Sequence, residues 1–166
     1  KVRHFGVSNQ NPMMMELLKT AVKQPLKVNQ LQLSAAFTPS FEAGFHVNME
    51  GPKAAVRDGS VFEYCRLTDT VIQAWSVLQH GYFKGNFVGK EEFAALNHVL
   101  NDLAKKYQVT PTAIALAWVL RYPGKMQSVI GTTKPQHVLE AGKATTVTLT
   151  RKEWYQIYLA AGNDLP

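Results

Sequence analysis

The sequence predicts an α/β chain of successive βα units around a parallel sheet, with too few strands to close on itself. Three observations lead there. Short runs rich in β-branched residues alternate with longer segments of helical period, each run ends in a small or polar cluster, and helix start and stop signals fall between the runs. The runs are Val2–Val7, Val28–Leu33, Val71–Trp75 and Ser128–Ile130, closed by Ser8-Asn9, Ser34, Ser76 and Gly131-Thr132-Thr133.

Each intervening element has a local reason. Asn11 before Pro12 reads as an N-cap with proline at the first helical position, opening a helix over Pro12–Val22. Met13-Met14-Met15 should place one face of that helix partly against the sheet. Ala35–Asp58 contains Gly and Pro, lacks a period and exceeds an ordinary βα connection, so it reads as a functional surface loop. Ser60–Leu67 is a shorter helix before the third strand. Glu91–Tyr107 carries Phe93, Leu96, Leu100 and Leu103 at helical spacing. Thr110-Pro111 starts a helix through Leu116 and Trp118 that Tyr122-Pro123-Gly124 stops. Pro135–Gly142 follows the fourth strand. Thr150 and Glu153 form a capping box for a last helix, with Gly162 as its C-cap.

Composition narrows the class. With 166 residues, 46% hydrophobic and 18% charged, the chain is expected to be one globular domain over residues 1–166. No apolar run reaches the roughly 18–20 residues of a membrane span. The charged start, Lys1-Val2-Arg3-His4, is followed by no apolar signal core. Cys65 is the single cysteine, which excludes an internal disulfide and fits a reducing compartment, so a cytoplasmic protein without membrane contact is expected. The net charge of +6 raises nucleic acid as a partner, but the eighteen Lys and Arg are scattered without a basic-aromatic platform. No nucleic acid is expected; a phosphate-bearing small ligand suits the same field. Four parallel strands would leave a face bearing Val28, Leu31 and Leu33 partly uncovered. The chain is therefore expected to be a fragment or one piece of a larger assembly, covered by an N-terminal half or by self-association.

Four strand-end motifs sharpen this. Gly6-Val7-Ser8-Asn9, Val28-Asn29-Gln30, Ala74-Trp75-Ser76-Val77-Leu78 and Val129-Ile130-Gly131-Thr132-Thr133, the last followed by Val138-Leu139-Glu140, stand in this order over almost the whole chain. Together they resemble the fifth to eighth strands of aldo-keto reductases, with Val77 in place of the usual proline. The resemblance implies an α/β fold that is the C-terminal half, strands five to eight with their helices, of a TIM (β/α)8 barrel, which is complete at about 250 residues.

The resemblance also implies an NADP(H) site. Ser8, Asn9 and Gln30 take the role of binding the nicotinamide carboxamide, which needs both donors and acceptors. Trp75 takes the place of the aromatic that stacks on the nicotinamide ring. Ser76 and Leu78 line the pyrophosphate, with Gly81 allowing a close turn. Gly131, Thr132 and Thr133, between a strand end and a helix start, would receive a phosphate, with Lys134 nearby. His137 stands where relatives carry Arg or Gln, with Glu140 retained and Ala141 replacing a frequent Asn. The catalytic Asp, Tyr, Lys and His of the family come from its first four strands and have no counterpart here, so no catalytic residue is assigned. None of His4, His46, His80, His98 and His137 sits in metal-ligand spacing, and no metal site is expected. The implied function is that of the cofactor-binding half of an NADP(H)-dependent reductase of aldehydes or ketones, a small-molecule carbonyl being the substrate. This chain alone is expected to be inactive. The alternative is a non-catalytic, nicotinamide-cofactor-binding regulatory subunit of the same fold.

Overall fold

A computed structural model describes residues 2–45, 60–81 and 84–164. Four strands, β1 (Phe5–Ser8), β2 (Leu26–Gln32), β3 (Val71–Trp75) and β4 (Met126–Ser128), form one parallel sheet in sequence order. The connections carry α1 (Pro12–Ala21), α2 (Pro39–Phe45), α3 (Val61–Leu67), α4 (Ala94–Tyr107) and α5 (Pro111–Leu120), and α6 (Pro135–Gly142) and α7 (Arg151–Ala160) follow β4. Because all four strands run the same way, their C-terminal ends share one edge.

The predicted caps form. Asn11 accepts from the Met14 amide at 2.9 Å and Thr110 from the Ala113 amide at 3.2 Å, each ahead of a proline at the helix start. Thr150 and Glu153 close their capping box, and Gly162, at φ +82, takes the left-handed position just past α7. Gly6 has a different reason for being glycine. A Cβ there would sit 2.8 Å from Val28 Cβ, so a larger residue would push β1 off β2.

The core lies between the sheet and its helices. The buried run Ala113–Val119 makes α5 its centre. Trp118 and Trp154 stack at 4.8 Å, and each indole N–H donates to the other residue's carbonyl at 3.0 Å. Phe41 packs on both and on Tyr122 and Tyr158.

Four expectations need correction. Leu31 and Leu33 are not on the uncovered face. They point with Ile72 and Ala74 into the core, and the half-exposed face instead carries Ser8, Val28, Gln30, Gln73 and Gln127. The run Ala35–Asp58 is no simple surface loop. Ala35 and Phe41 are buried and α2 lies within it, while residues 46–59, including His46, fall outside the described residues. The fourth strand is Met126–Ser128, two residues earlier than Ser128–Ile130; the Val129 amide makes the last bond of the ladder, to the Ala74 carbonyl at 2.8 Å. The first strand is Phe5–Ser8 rather than Val2–Val7, starting three residues later and ending one later, and of the three adjacent methionines Met15 is buried while Met13 and Met14 are exposed.

Candidate functional site

The register sets the site. Ser8 pairs with Gln30, Gln30 with Gln73 and Gln73 with Gln127, so one polar row crosses the uncovered face. Gln30 donates to Gln73 at 3.3 Å, and Gln73 donates to Gln127 at 2.7 Å. The Ser8 hydroxyl donates to the Gln30 carbonyl at 3.0 Å, and the Asn9 amide donates to the same oxygen at 3.0 Å. With its proton so engaged, Ser8 Oγ presents lone pairs outward as an acceptor. Ser8, Gln30 and Gln73 line a hollow of about 430 Å³ with His4, Gly6 and Val28.

Two strand ends share a backbone device. Asn9 and Ser76 both have positive φ, 54° and 51°, a conformation that non-glycine residues avoid. The strain turns the chain sharply out of the sheet at the point where the side chains meet the edge.

A larger cavity, of about 530 Å³, lies beside β3 and β4. Trp75, Ser76 and Leu78 line one side; Gly131, Thr132, His137 and Glu140 line the other. Gly131 is open, with no atom within 4 Å of where a Cβ would stand. Thr132 Oγ1 accepts from the Lys134 amide at 3.2 Å and lies 3.4 Å from His137 Nδ1, while Glu140 accepts from Gln136 at 3.0 Å. The N-terminus of α6 has no side-chain cap; Pro135 has no N–H and the His137 amide donates to the Lys134 carbonyl at 3.0 Å, which leaves the Gln136 amide to face an anion. Asn9, Thr133 and Lys134 line neither hollow; Asn9 and Thr133 follow residues that do, and the Lys134 amide donates to one, Thr132.

The sequence had not pointed to Gln32, Gln79, Asn86 or Thr112. Gln79, Asn86 and Thr112 line the larger cavity, and Gln32 stands in register with Trp75. Gln79 Oε1 and Gln32 Nε2 are buried without a hydrogen-bond partner, each at a cost of about 1–3 kcal/mol. Orphaned polar atoms at the edge of a cavity suit a site completed by a polar ligand. The stretch 87–93 is held from outside by the buried Asn97 of α4. Its Nδ2 donates to the carbonyls of Phe87, Lys90 and Phe93 at 3.0, 3.0 and 3.1 Å, and its Oδ1 accepts from the Gly89 amide at 2.8 Å. Burial pushes the Cys65 thiol up to about 11, against a hydrogen bond with Asn29, so it is no nucleophile. Among the described residues no cluster of His, Cys, Asp or Glu is placed to hold a metal ion, and no helix is long and apolar enough to cross a membrane.

Comparison with known proteins places this geometry. The family model described as "Aldo/keto reductase family" matches residues 1–160. A 6-dehydroglucose reductase of Agrobacterium fabrum is 32% identical over 99% of this chain and 49% of its own length. Oxidoreductase YdhF of Escherichia coli is 30% identical over 100% of this chain and 50% of its own. A solved thermostable aldo-keto reductase superposes with a TM-score of 0.66 at 20% identity, over 95% of this chain and 48% of that one. An aldo-keto reductase solved with NADPH gives 0.64 at 18%, over 95% of this chain and 42% of that one. The chain thus spans about half the length of these relatives, and its parallel α/β sheet resembles that of an aldo-keto reductase barrel.

Proposed function

This chain belongs to the aldo/keto reductase family, and on that premise we propose that it is the cofactor-binding, C-terminal half of a TIM (β/α)8 barrel that reduces aldehydes or ketones with NADP(H). The observation that carries the reading is the shared strand edge. Seven of the twelve residues singled out in the sequence, Trp75, Ser76, Leu78, Gly131, Thr132, His137 and Glu140, line the cavity beside the ends of β3 and β4, and two more, Ser8 and Gln30, line the hollow on the uncovered sheet face. The residues present suit a dinucleotide: an acceptor row for a carboxamide, an aromatic wall, an open glycine and an uncapped helix start for phosphate, and orphaned amide atoms between them.

When bound, reduced nicotinamide supplies a hydride for a carbonyl carbon. The chain's own residues bind and orient. Ser8 Oγ, Asn9 and Gln30 hold the carboxamide and so fix which ring face is presented. Trp75 covers the other face and excludes water from it. Ser76 and Leu78 follow the pyrophosphate. Gly131, Thr132 and Thr133 bring backbone amides to the adenosine-side phosphate, with Lys134 and His137 supplying positive charge and Glu140 accepting hydrogen bonds at the adenosine end. The proton for the carbonyl oxygen comes from a tyrosine outside this chain. Substrate recognition falls partly to the segment around α2. The name of the 32% identical relative, a 6-dehydroglucose reductase, supports a small carbonyl compound as substrate. A cytoplasmic setting, without membrane or nucleic-acid partners, completes the proposal.

The test is NADPH consumption by the full-length protein with a panel of aldehydes and sugar-derived carbonyls. Turnover is expected, with Trp75→Ala raising the KM for NADPH about tenfold, the loss of one stacked ring. Absence of turnover in a folded protein, or a Trp75→Ala variant with unaltered cofactor KM, would overturn the reading.

A further inference from the structure

A third hollow, of about 340 Å³, lies away from the strand edge, between α3, the end of α5 and the start of α7. Its walls include the rings of Tyr122 and Trp154, both buried, and the half-buried Tyr155. Three arginines from three different elements rim it: Arg66 in the last turn of α3, Arg121 at the end of α5 and Arg151 at the first position of α7.

Each guanidinium has a local hold. Arg121 Nε donates to the Leu149 carbonyl at 2.9 Å, Arg151 lies over the Tyr155 ring at 5.8 Å, and Arg66 stands beside the Tyr122 hydroxyl. None of these holds is a carboxylate, and among the described residues none of the three arginines forms an ion pair. Glu63 is the one acidic residue of the rim. Guanidinium groups kept in place without neutralisation retain most of their five N–H donors, directed in forks that match carboxylate or phosphate oxygens. Aromatic walls beneath them favour a flat ring. A merely solvated arginine face would need no buried aromatic floor and no hollow.

We propose that this hollow is a binding site for a small organic anion carried on a flat ring, such as an aromatic carboxylate. Arg66 and Arg151 grip the anion and Trp154 and Tyr155 pack against the ring, while Arg121 shapes the rim through Leu149. The site is separate from the strand edge, so it stands or falls independently of the cofactor reading.

The chain has three tryptophans, and they report on different places. Trp75 lines the strand-edge cavity, whereas Trp154 lines this hollow and is hydrogen-bonded to Trp118. Benzoate is titrated into the ¹⁵N-labelled full-length protein while the indole N–H resonances, assigned by substitution, are followed. Saturable movement of the Trp154 resonance is expected, without the same movement at Trp75. It should be lost, or its midpoint raised at least tenfold, in Arg66→Gln/Arg151→Gln, and neutral benzamide should not reproduce it. Retained unfolding midpoints establish that the variant is folded; if the double variant is not, the two single variants carry the comparison. Movement confined to Trp75, no saturable movement, or a Trp154 response that the arginine substitutions leave unchanged overturns the proposal.

Discussion

His137 is the residue at which this chain departs most from the pattern it resembles. An arginine there would bring a permanent planar fork to a 2′-phosphate, whereas the imidazole lies 3.4 Å from Thr132 Oγ1 and offers fewer donors. His137→Arg should therefore tighten NADPH binding about tenfold, one charge-assisted hydrogen bond, and leave NADH unchanged. Equal gains for both cofactors, measured by fluorescence titration, would place His137 away from the phosphate. At this scale the sequence was most informative where residues terminate strands. Ser8 and Trp75 end β1 and β3, and Gln30 lies two residues short of the end of β2, as a parallel sheet with its C-terminal ends at one edge requires. Gln79 and Asn86 are brought to the cavity by loop packing and Thr112 by the packing of α5, neither of which leaves a sequence pattern, and Gln32, although it ends β2, is marked by a buried unpartnered amide nitrogen that only the fold reveals.

Elements show a second contrast, between ends with a local chemical signature and ends fixed by pairing. The Thr150–Glu153 box was legible because both partners lie within one helical turn. Burial pushes the Glu153 carboxyl up, but Lys106, the Thr150 amide and hydroxyl, and Tyr107 outweigh it and hold the group at about 2, below its ordinary 4.5. A folded value below the unfolded one gives stability that is full above about 4.5 and is lost as pH falls toward about 2. Wild type should thus lose more of its urea midpoint than Glu153→Gln between about pH 5 and 3. At neutral pH the variant should be less stable by about 1–2 kcal/mol. Parallel pH profiles would show that the carboxylate contributes nothing. By contrast, Met126-Gln127-Ser128 is an edge strand without strong alternation, and its bounds follow from the bonds between β3 and β4 rather than from its own residues. The seven residues of α2 are too few for a helical period to show. Asn97 belongs to this scale too, since it ties α4 to the stretch 87–93. Asn97→Ala leaves the Gly89 amide without its acceptor and takes one donor from each of the Phe87, Lys90 and Phe93 carbonyls, the first two keeping the Lys90 and Phe93 amides. It should cost about 2–3 kcal/mol in urea unfolding and speed amide exchange at Gly89 and Phe93. Unchanged exchange there would remove Asn97 as the anchor.

For the whole molecule, the open face decides the expectation. Its row of Ser8, Gln30, Gln73 and Gln127 is polar, and helix α1 exposes Met13 and Leu17 at 75% and 72%. β1 and β4 are both edges of an unclosed sheet, which calls for a covering partner. Expressed by itself, residues 1–166 should associate, with a supplied N-terminal half or with themselves. A cooperatively folded monomer in sedimentation equilibrium would contradict that. The α/β class was legible from alternation alone; the polarity of the uncovered face was not, because strand phase depends on which side the helices pack. The central claim, that the shared strand edge holds a nicotinamide dinucleotide against Trp75, is tested most directly by titrating NADPH into the full-length protein and following tryptophan fluorescence. Saturable quenching that Trp75→Ala largely removes and Trp118→Phe preserves is the predicted result; quenching that survives Trp75→Ala and vanishes in Trp118→Phe would contradict it.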